Sequence, residues 1–529
     1  MAARVPLSTR QLSSPAFLVA VSLVLLLIEA CSGGGSSAPP QESAAGSPTT
    51  EATPAPPVFV DTECPFFVPA ERKPRCGFIL VPEDRGKADG RKIRIRAAVF
   101  KSESATPAAD PIVFLDGGPG SNTLEGLQYD LEVFVPLLAE RDLVFFDQRG
   151  AGSSDPPLEC AEVKEMFYGI LGEPVTPEEH RAQELRDAGN CRETLSRSGA
   201  DLAAYNSAEN AADLEDLRLA LGYAQWNLYG ASYGTRLALT AMRDFPAGIR
   251  SVVLDSTYPL QVDLFEEVID SNAAALSALF AGCAEDQTCS ANYPALEEVF
   301  YEQMQALDAQ PAAVPLYGPR GEYRLLTFNG YALTNTVIHG LYLPGGPELL
   351  PRMIYDTLDG DFSIASVIDS SVFSTVELLS FGMYLSIECH DEAPFSNREN
   401  ARAAASRHPQ LAGYIAYEDP ELLLDACQVL AEGWAPPDPK ENAAVNSPIP
   451  TLVLAGEYDP VTPPSWGRLV SADLPNSRYF EFPGLGHGVT FAHDCPREIM
   501  KQFLADPAGT PSGACIEQMG GPEFIGPFD

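Results

Sequence analysis

Residues 228–234 read Leu-Tyr-Gly-Ala-Ser-Tyr-Gly, a G-x-S-x-G pattern set between an apolar run, Gln225-Trp226-Asn227-Leu228-Tyr229, and a helix-like run from Thr235 to Asp244. The setting gives the pattern a mechanical meaning. A serine presented on a sharp turn from strand to helix needs a strained backbone, and a side chain at Gly230 or Gly234 would collide with the neighbouring strand or helix. Ser232 is therefore the candidate nucleophile. A bare G-x-S-x-G also arises by chance in long chains, and it is the strand before it and the helix after it that separate the two readings.

A serine hydroxyl attacks only when a base takes its proton and a carboxylate orients that base. With this kind of turn the chain order is serine, acid, histidine. The last part of the sequence supplies both partners after strand-like runs: Gly456-Glu457-Tyr458-Asp459-Pro460 and Gly486-His487-Gly488. Asp459 is assigned as the orienting acid and His487 as the general base, with Asp255 as the competing acid and His493 as the competing base. The oxyanion formed by attack needs backbone donors. The Tyr233 amide is one, and the loop Asp116-Gly117-Gly118-Pro119-Gly120 offers another, assigned to Gly118.

Working outward, two strand-like segments, Phe78–Val81 and Ile93–Val99, flank a polar turn and read as an opening hairpin. Short apolar runs follow at 111–115, 143–146, 226–229 and 252–254, mostly separated by helix-length segments, the pattern of parallel strands buried on both faces. Asn210 to Leu221 places Ala211, Leu214, Leu217 and Leu221 on one helical face, with Asp213, Glu215, Asp216 and Arg218 mostly elsewhere, and Gly222 ends it. From about Gln261 to Asn446 the sequence reads as mainly helical. Strand runs return at 451–454 and, more weakly, at 479–482. The expected organisation is an export signal (1–30), a tether (31–57), a first core part (58–260), a helical cap insertion (261–446) and a second core part (447–529).

The chain has 529 residues with 73 acidic against 34 basic, a formal charge of -39. Nucleic acid is excluded as a partner on that balance, since phosphate binding needs a basic footprint. Arg4 and Arg10 precede an apolar stretch, Pro15 to Ile28, that reads as an export signal, too short for a comfortable membrane span. It runs into Ile28-Glu29-Ala30-Cys31, which resembles the lipobox of bacterial lipoproteins and implies lipidation at Cys31. The Gly, Ser, Ala, Pro and Thr composition of Ser32 to Pro57 suits a tether. Membrane contact through this anchor and a place in the bacterial cell envelope are the expectations. Of 11 cysteines, the ten besides Cys31 are an even number and point to disulfides. Neighbours along the chain offer one set: Cys64–Cys76, Cys160–Cys191, Cys283–Cys289, Cys389–Cys427 and Cys495–Cys515. No metal site is expected, because no C-x-x-C pair occurs and neither His390 nor His493 has a partner at zinc spacing.

Asp116 to Gly120, then Asp147-Gln148-Arg149-Gly150-Ala151-Gly152-Ser153-Ser154, then Gly230 to Gly234, resemble the α/β-hydrolase branch that contains the prolyl iminopeptidases; Asp116 stands where that family has His. The stretch from Pro450 to Pro463 and the Gly486-His487-Gly488 turn resemble the TAP-like C-terminal region of secreted tripeptidyl aminopeptidases. The resemblance covers roughly Cys76 to Cys515. It implies an α/β-hydrolase fold, a mostly parallel sheet flanked by helices with an inserted helical cap, and a serine aminopeptidase without a cofactor that acts on peptides with free N-termini. A carboxylesterase on the same fold is the alternative. An aminopeptidase must also hold the substrate amine, and Glu388 in Ile387-Glu388-Cys389-His390-Asp391-Glu392 is the expected carboxylate, with a solvated acidic loop as the other reading of that segment.

Overall fold

The structure is a computed structural model that describes residues 57–68, 72–164, 175–318 and 321–527. The export segment, Cys31 and the tether as far as residue 56 lie outside the described residues. Strands β1 (Val60–Asp61), β2 (Arg75–Pro82) and β3 (Lys92–Phe100) form an antiparallel start, the expected hairpin lengthened at both ends. β4 (Ile112–Leu115), β5 (Leu143–Phe146), β6 (Trp226–Ala231) and β7 (Ile249–Asp255) follow. Later come β8 (Ala312–Tyr317), β9 (Tyr323–Phe328), β10 (Thr451–Gly456) and β11 (Ser477–Phe482). The main sheet runs β1-β2-β3-β5-β4-β6-β7-β10-β11 and is parallel at every pair beyond β3–β5.

Alternate residues of the central strands enter two cores. Val113, Leu115 and Leu228 face one; Ile112, Phe114 and Tyr229 face the other. Burial on both faces is why these strands read as unbroken apolar runs rather than alternating ones. The helix Ser207–Leu221 begins where the Asn206 side chain accepts the Glu209 amide and ends at Gly222, whose φ of 78° is left-handed. Ala211, Leu214 and Leu217 of its apolar stripe are buried and Leu221 is half-buried. Asp213, expected on the outer side, is 1% exposed. The reason lies in another element: Arg149, fully buried, donates to both Asp213 oxygens at 2.8 and 2.7 Å, and Arg85 adds a contact at 2.7 Å. A buried carboxylate is tolerated when it is paired and hydrogen-bonded in this way.

β7 and β10 are hydrogen-bonded neighbours, Thr451 opposite Val252, although the chain between them carries a large helical segment with its own apolar cluster around Phe300, Leu333 and Leu350. Within that segment, expected to be mainly helical, lies the β8–β9 hairpin, six residues paired with six, which the sequence reading did not single out. Its strands are only partly buried and one contains Pro315, so they lack the continuous apolar signature by which the central strands are read. Five disulfides join the five pairs of chain neighbours named above. Among the described residues no helix is long and apolar enough to cross a membrane.

Candidate active site

Ser232 stands between the last residue of β6 and the helix Tyr233–Asp244, with φ 55° and ψ -127°. Such a backbone costs a non-glycine residue about 1–3 kcal/mol and persists only when the surroundings fix it. Here the Ser232 amide donates to the Asp255 carbonyl at 3.0 Å. A Cβ at Gly234 would strike the Leu115 carbonyl of β4, and one at Gly230 would strike the Gly234 carbonyl. Both glycines are thus required by close approach.

Asp459 follows β10 and His487 follows β11. His487 Nδ1 lies 2.8 Å from Asp459 Oδ2. The other Asp459 oxygen accepts the Val461 and Thr462 amides at 3.0 and 2.9 Å. Thr462, a residue the sequence reading did not single out, donates its hydroxyl to Asp459 Oδ2 at 2.7 Å and lies 3.1 Å from His487 Nδ1. Burial opposes ionisation of Asp459, but the His487 charge and hydrogen bond together with the Thr462 donors outweigh it and hold the carboxyl below its ordinary range. His487 Nε2 is buried and has no hydrogen-bond partner among the described residues. The Tyr342 ring stacks on the imidazole with centroids 4.3 Å apart.

The competing acid and base have other occupations. Asp255 accepts the Val489 and Thr490 amides, both at 3.0 Å, and the Thr490 and Tyr229 hydroxyls at 2.6 and 2.9 Å, while the Gly488 amide donates to Ser256 Oγ at 2.8 Å. It anchors the loop that carries His487. Burial pushes its carboxyl up despite these donors. His493 caps the helix Asp494–Ala505, its Nδ1 accepting the Cys495 amide at 3.0 Å.

The loop after β4 lies against the serine: a Cβ on Gly117 would sit 2.9 Å from Ser232 Cβ. Gly118 has φ 105°, a region side chains avoid, and is exposed. The Tyr233 amide is at the start of a helix, where N–H groups have no intrahelical acceptor. Asp116 Oδ1 accepts the Gly117 amide at 2.7 Å while its carbonyl accepts Gln148 Nε2 at 2.9 Å.

Ser232, Gly118 and His487 line one cavity of about 750 Å³. Asp116, Glu125 and Glu377 line it too, and no Lys or Arg is among its described lining residues. Glu388 is not brought there. It is 1% exposed, in a buried cluster with Arg236, Glu392 and Tyr258, and its Oε2 has no hydrogen-bond partner among the described residues. The fold does bring His390, Asp391 and Glu441 together, with one donor atom of each within 4.8 Å of the others, a grouping that chain spacing could not reveal because Glu441 comes from a distant turn.

Residues 110–308 match the family model described as alpha/beta hydrolase fold, and residues 421–514 the one described as TAP-like protein. Serine protease Hip1 of Mycobacterium tuberculosis is 27% identical over 472 residues, 83% of this chain and 86% of that protein. Putative hydrolase YuaR of Escherichia coli is 24% identical over 468 residues, 83% of this chain and 87% of its own length. Tripeptidyl aminopeptidase of Streptomyces lividans is 30% identical over a shorter stretch of 191 residues, 34% of this chain and 35% of that protein. Sheet, serine turn and matched regions together define a hydrolase. The chain has the α/β-hydrolase fold, and its C-terminal residues 421–514 are similar to the TAP-like proteins.

Proposed function

We propose that this chain is an exported serine peptidase that removes single residues or short peptides from free N-termini through an acyl-enzyme on Ser232. The observation that carries this reading is the shared cavity, onto which both Ser232 and His487 open while Asp459 holds the far side of the imidazole. His487 Nε2 takes the Ser232 proton as Oγ bonds to the scissile carbonyl carbon, and the oxyanion accepts from the Tyr233 and Gly118 amides. The C–N bond then breaks as His487 returns the proton to the leaving amine. Water, activated by the same histidine, cleaves the ester and frees the N-terminal fragment.

The relatives' names, serine protease and tripeptidyl aminopeptidase, favour peptides over esters. A cavity lined by three carboxylates favours an ammonium terminus. Five disulfides suit an oxidising compartment, in keeping with export and a lipid anchor at Cys31. Acetylating the substrate amine removes a charge-assisted contact of about 1.5–3 kcal/mol, so kcat/KM should fall about ten- to hundredfold against the free peptide. A side-by-side assay of free and acetylated tripeptidyl amides, amino-acyl amides and butyrate esters decides it. Equal cleavage of free and blocked peptides, or rapid ester hydrolysis with no peptide turnover, would favour the carboxylesterase reading.

A further inference from the structure

The helical segment between β7 and β10 reaches the residue after the nucleophile through buried contacts that the reaction above does not use. Tyr233 is 1% exposed, and its phenol lies 2.8 Å from Ser207 Oγ. Ser207 opens the helix Ser207–Leu221, and its amide, without an intrahelical acceptor, donates to Asp391 Oδ2 at 3.1 Å. Asp391 Oδ1 is 2.9 Å from His390 Nδ1, and Glu441 Oε2 is 3.7 Å from the same nitrogen. One turn beyond Ser232, Arg236 donates to the Asp391 carbonyl at 3.0 Å and pairs with Glu392 at 2.5 Å. His390, Asp391 and Glu392 belong to a short π-helical turn, Glu388–Glu392, an irregularity frequently found at functional sites.

We propose that His390 and Asp391 are positioning residues for catalysis: as an imidazolium, His390 keeps Asp391 ionised and aimed at Ser207, which fixes Tyr233 and with it the amide that receives the oxyanion. The charged groups facing this pair are Arg236, Glu388, Glu392 and Glu441, with Arg243 beside Glu441. Burial disfavours the imidazolium, but the Asp391 hydrogen bond and charge and the Glu441 charge outweigh it and raise His390 above its ordinary 6.5. Burial likewise opposes ionisation of Asp391, yet His390 and Arg236 hold its carboxyl below the usual range. A raised histidine contributes its alignment fully at low pH and loses it as pH climbs through the raised value. Above that point Asp391 and Glu441 face each other across a neutral ring.

The inference rests on Ser232 and the Tyr233 amide, not on the nature of the acyl group, so kcat and KM are measured from pH 6 to 10 on both a peptide amide and p-nitrophenyl butyrate. Wild type should lose kcat on the alkaline side at near-constant KM. His390→Gln should lower kcat about tenfold at neutral pH, the scale of one lost charge-assisted contact, and remove that alkaline loss. His390→Arg, a permanent cation, should restore the neutral kcat without the alkaline loss. Should the His390 variants fail to fold, Tyr233→Phe breaks the far end of the chain and should lower kcat, not raise KM. A kcat profile unchanged in His390→Gln or in Tyr233→Phe, or an effect confined to KM, overturns the proposal. Activity surviving in Ser232→Ala would instead overturn the nucleophile on which it rests.

Discussion

Asp459 lies just past β10 and Asp255 ends the adjacent parallel strand β7; both are almost fully buried, yet their surroundings differ. Asp459 meets the imidazole edge of His487, whereas Asp255 meets backbone amides of the next turn. Asp459→Asn should therefore lower kcat by on the order of 10⁴ by loss of the oriented, charge-stabilised base. Asp255→Asn leaves a buried amide without its acceptor and should cost about 1–3 kcal/mol of stability, with a much smaller loss of kcat. Denaturant titration beside steady-state kinetics separates the two, and the reverse ranking in kcat would move the catalytic acid to β7. Chain order and the preceding strands singled out Asp459 and His487 in the sequence, and the structure brings their side chains to 2.8 Å. Thr462 was not legible, since a threonine in a Pro-rich turn carries no signal until its hydroxyl is seen on both members of the pair.

At the scale of elements, one buried carboxylate joins a helix to a turn. Asp147 accepts the Leu124 amide at 2.9 Å, at the start of the helix Thr123–Phe134, and the Ser153 amide and hydroxyl at 2.7 and 2.6 Å. Burial, opposed by these donors and reinforced by the nearby Asp116 charge, pushes its carboxyl up to about 6. An acid with a raised folded-state value destabilises the fold once the unfolded chain ionises and the folded one does not. Stability should fall as pH rises from about 4 to 6 and level off above, by roughly 3 kcal/mol if the whole shift is realised. In Asp147→Asn this contribution should be lost and the slope between pH 4 and 6 become shallower, other raised carboxyls such as Asp263 and Asp369 supplying the rest, which thermal melts at a series of pH values would detect; identical slopes in both proteins would contradict the assignment. The strands of the main sheet were legible because burial on both faces writes an apolar run into the sequence. The β8–β9 hairpin was not, because partly exposed strands such as Ala312–Tyr317 leave a mixed pattern. The burial of Asp213 was hidden for a related reason: its compensating charge, Arg149, comes from another element.

Across the whole molecule, parts distant in sequence meet at one cavity: a loop after β4, a turn after β6, a turn after β11, and the inserted segment, which contributes Tyr342, Ser371 and Leu378; the turn after β10 stands behind it, with Asp459 on His487. The loop after β4 and the turns after β6, β10 and β11 carry the glycine, serine, aspartate and histidine signatures that singled them out in the sequence. The contribution of the insertion was not legible there, since helical periodicity reports which side is apolar and not what that side covers, and Glu388, expected at the substrate amine, turns instead toward Arg236. The central claim is that Ser232 is the attacking atom's owner and that its hydroxyl is dispensable for the fold, because the strain at φ 55° is held by its neighbours. Its most direct test is fluorophosphonate labelling followed by peptide mapping, on wild type and on Ser232→Ala with an unchanged melting temperature. A single phosphonylated peptide spanning Ser232 in the wild type, and none in the variant, is the predicted result; label retained by the folded variant, or found on another residue of the wild type, would contradict the account.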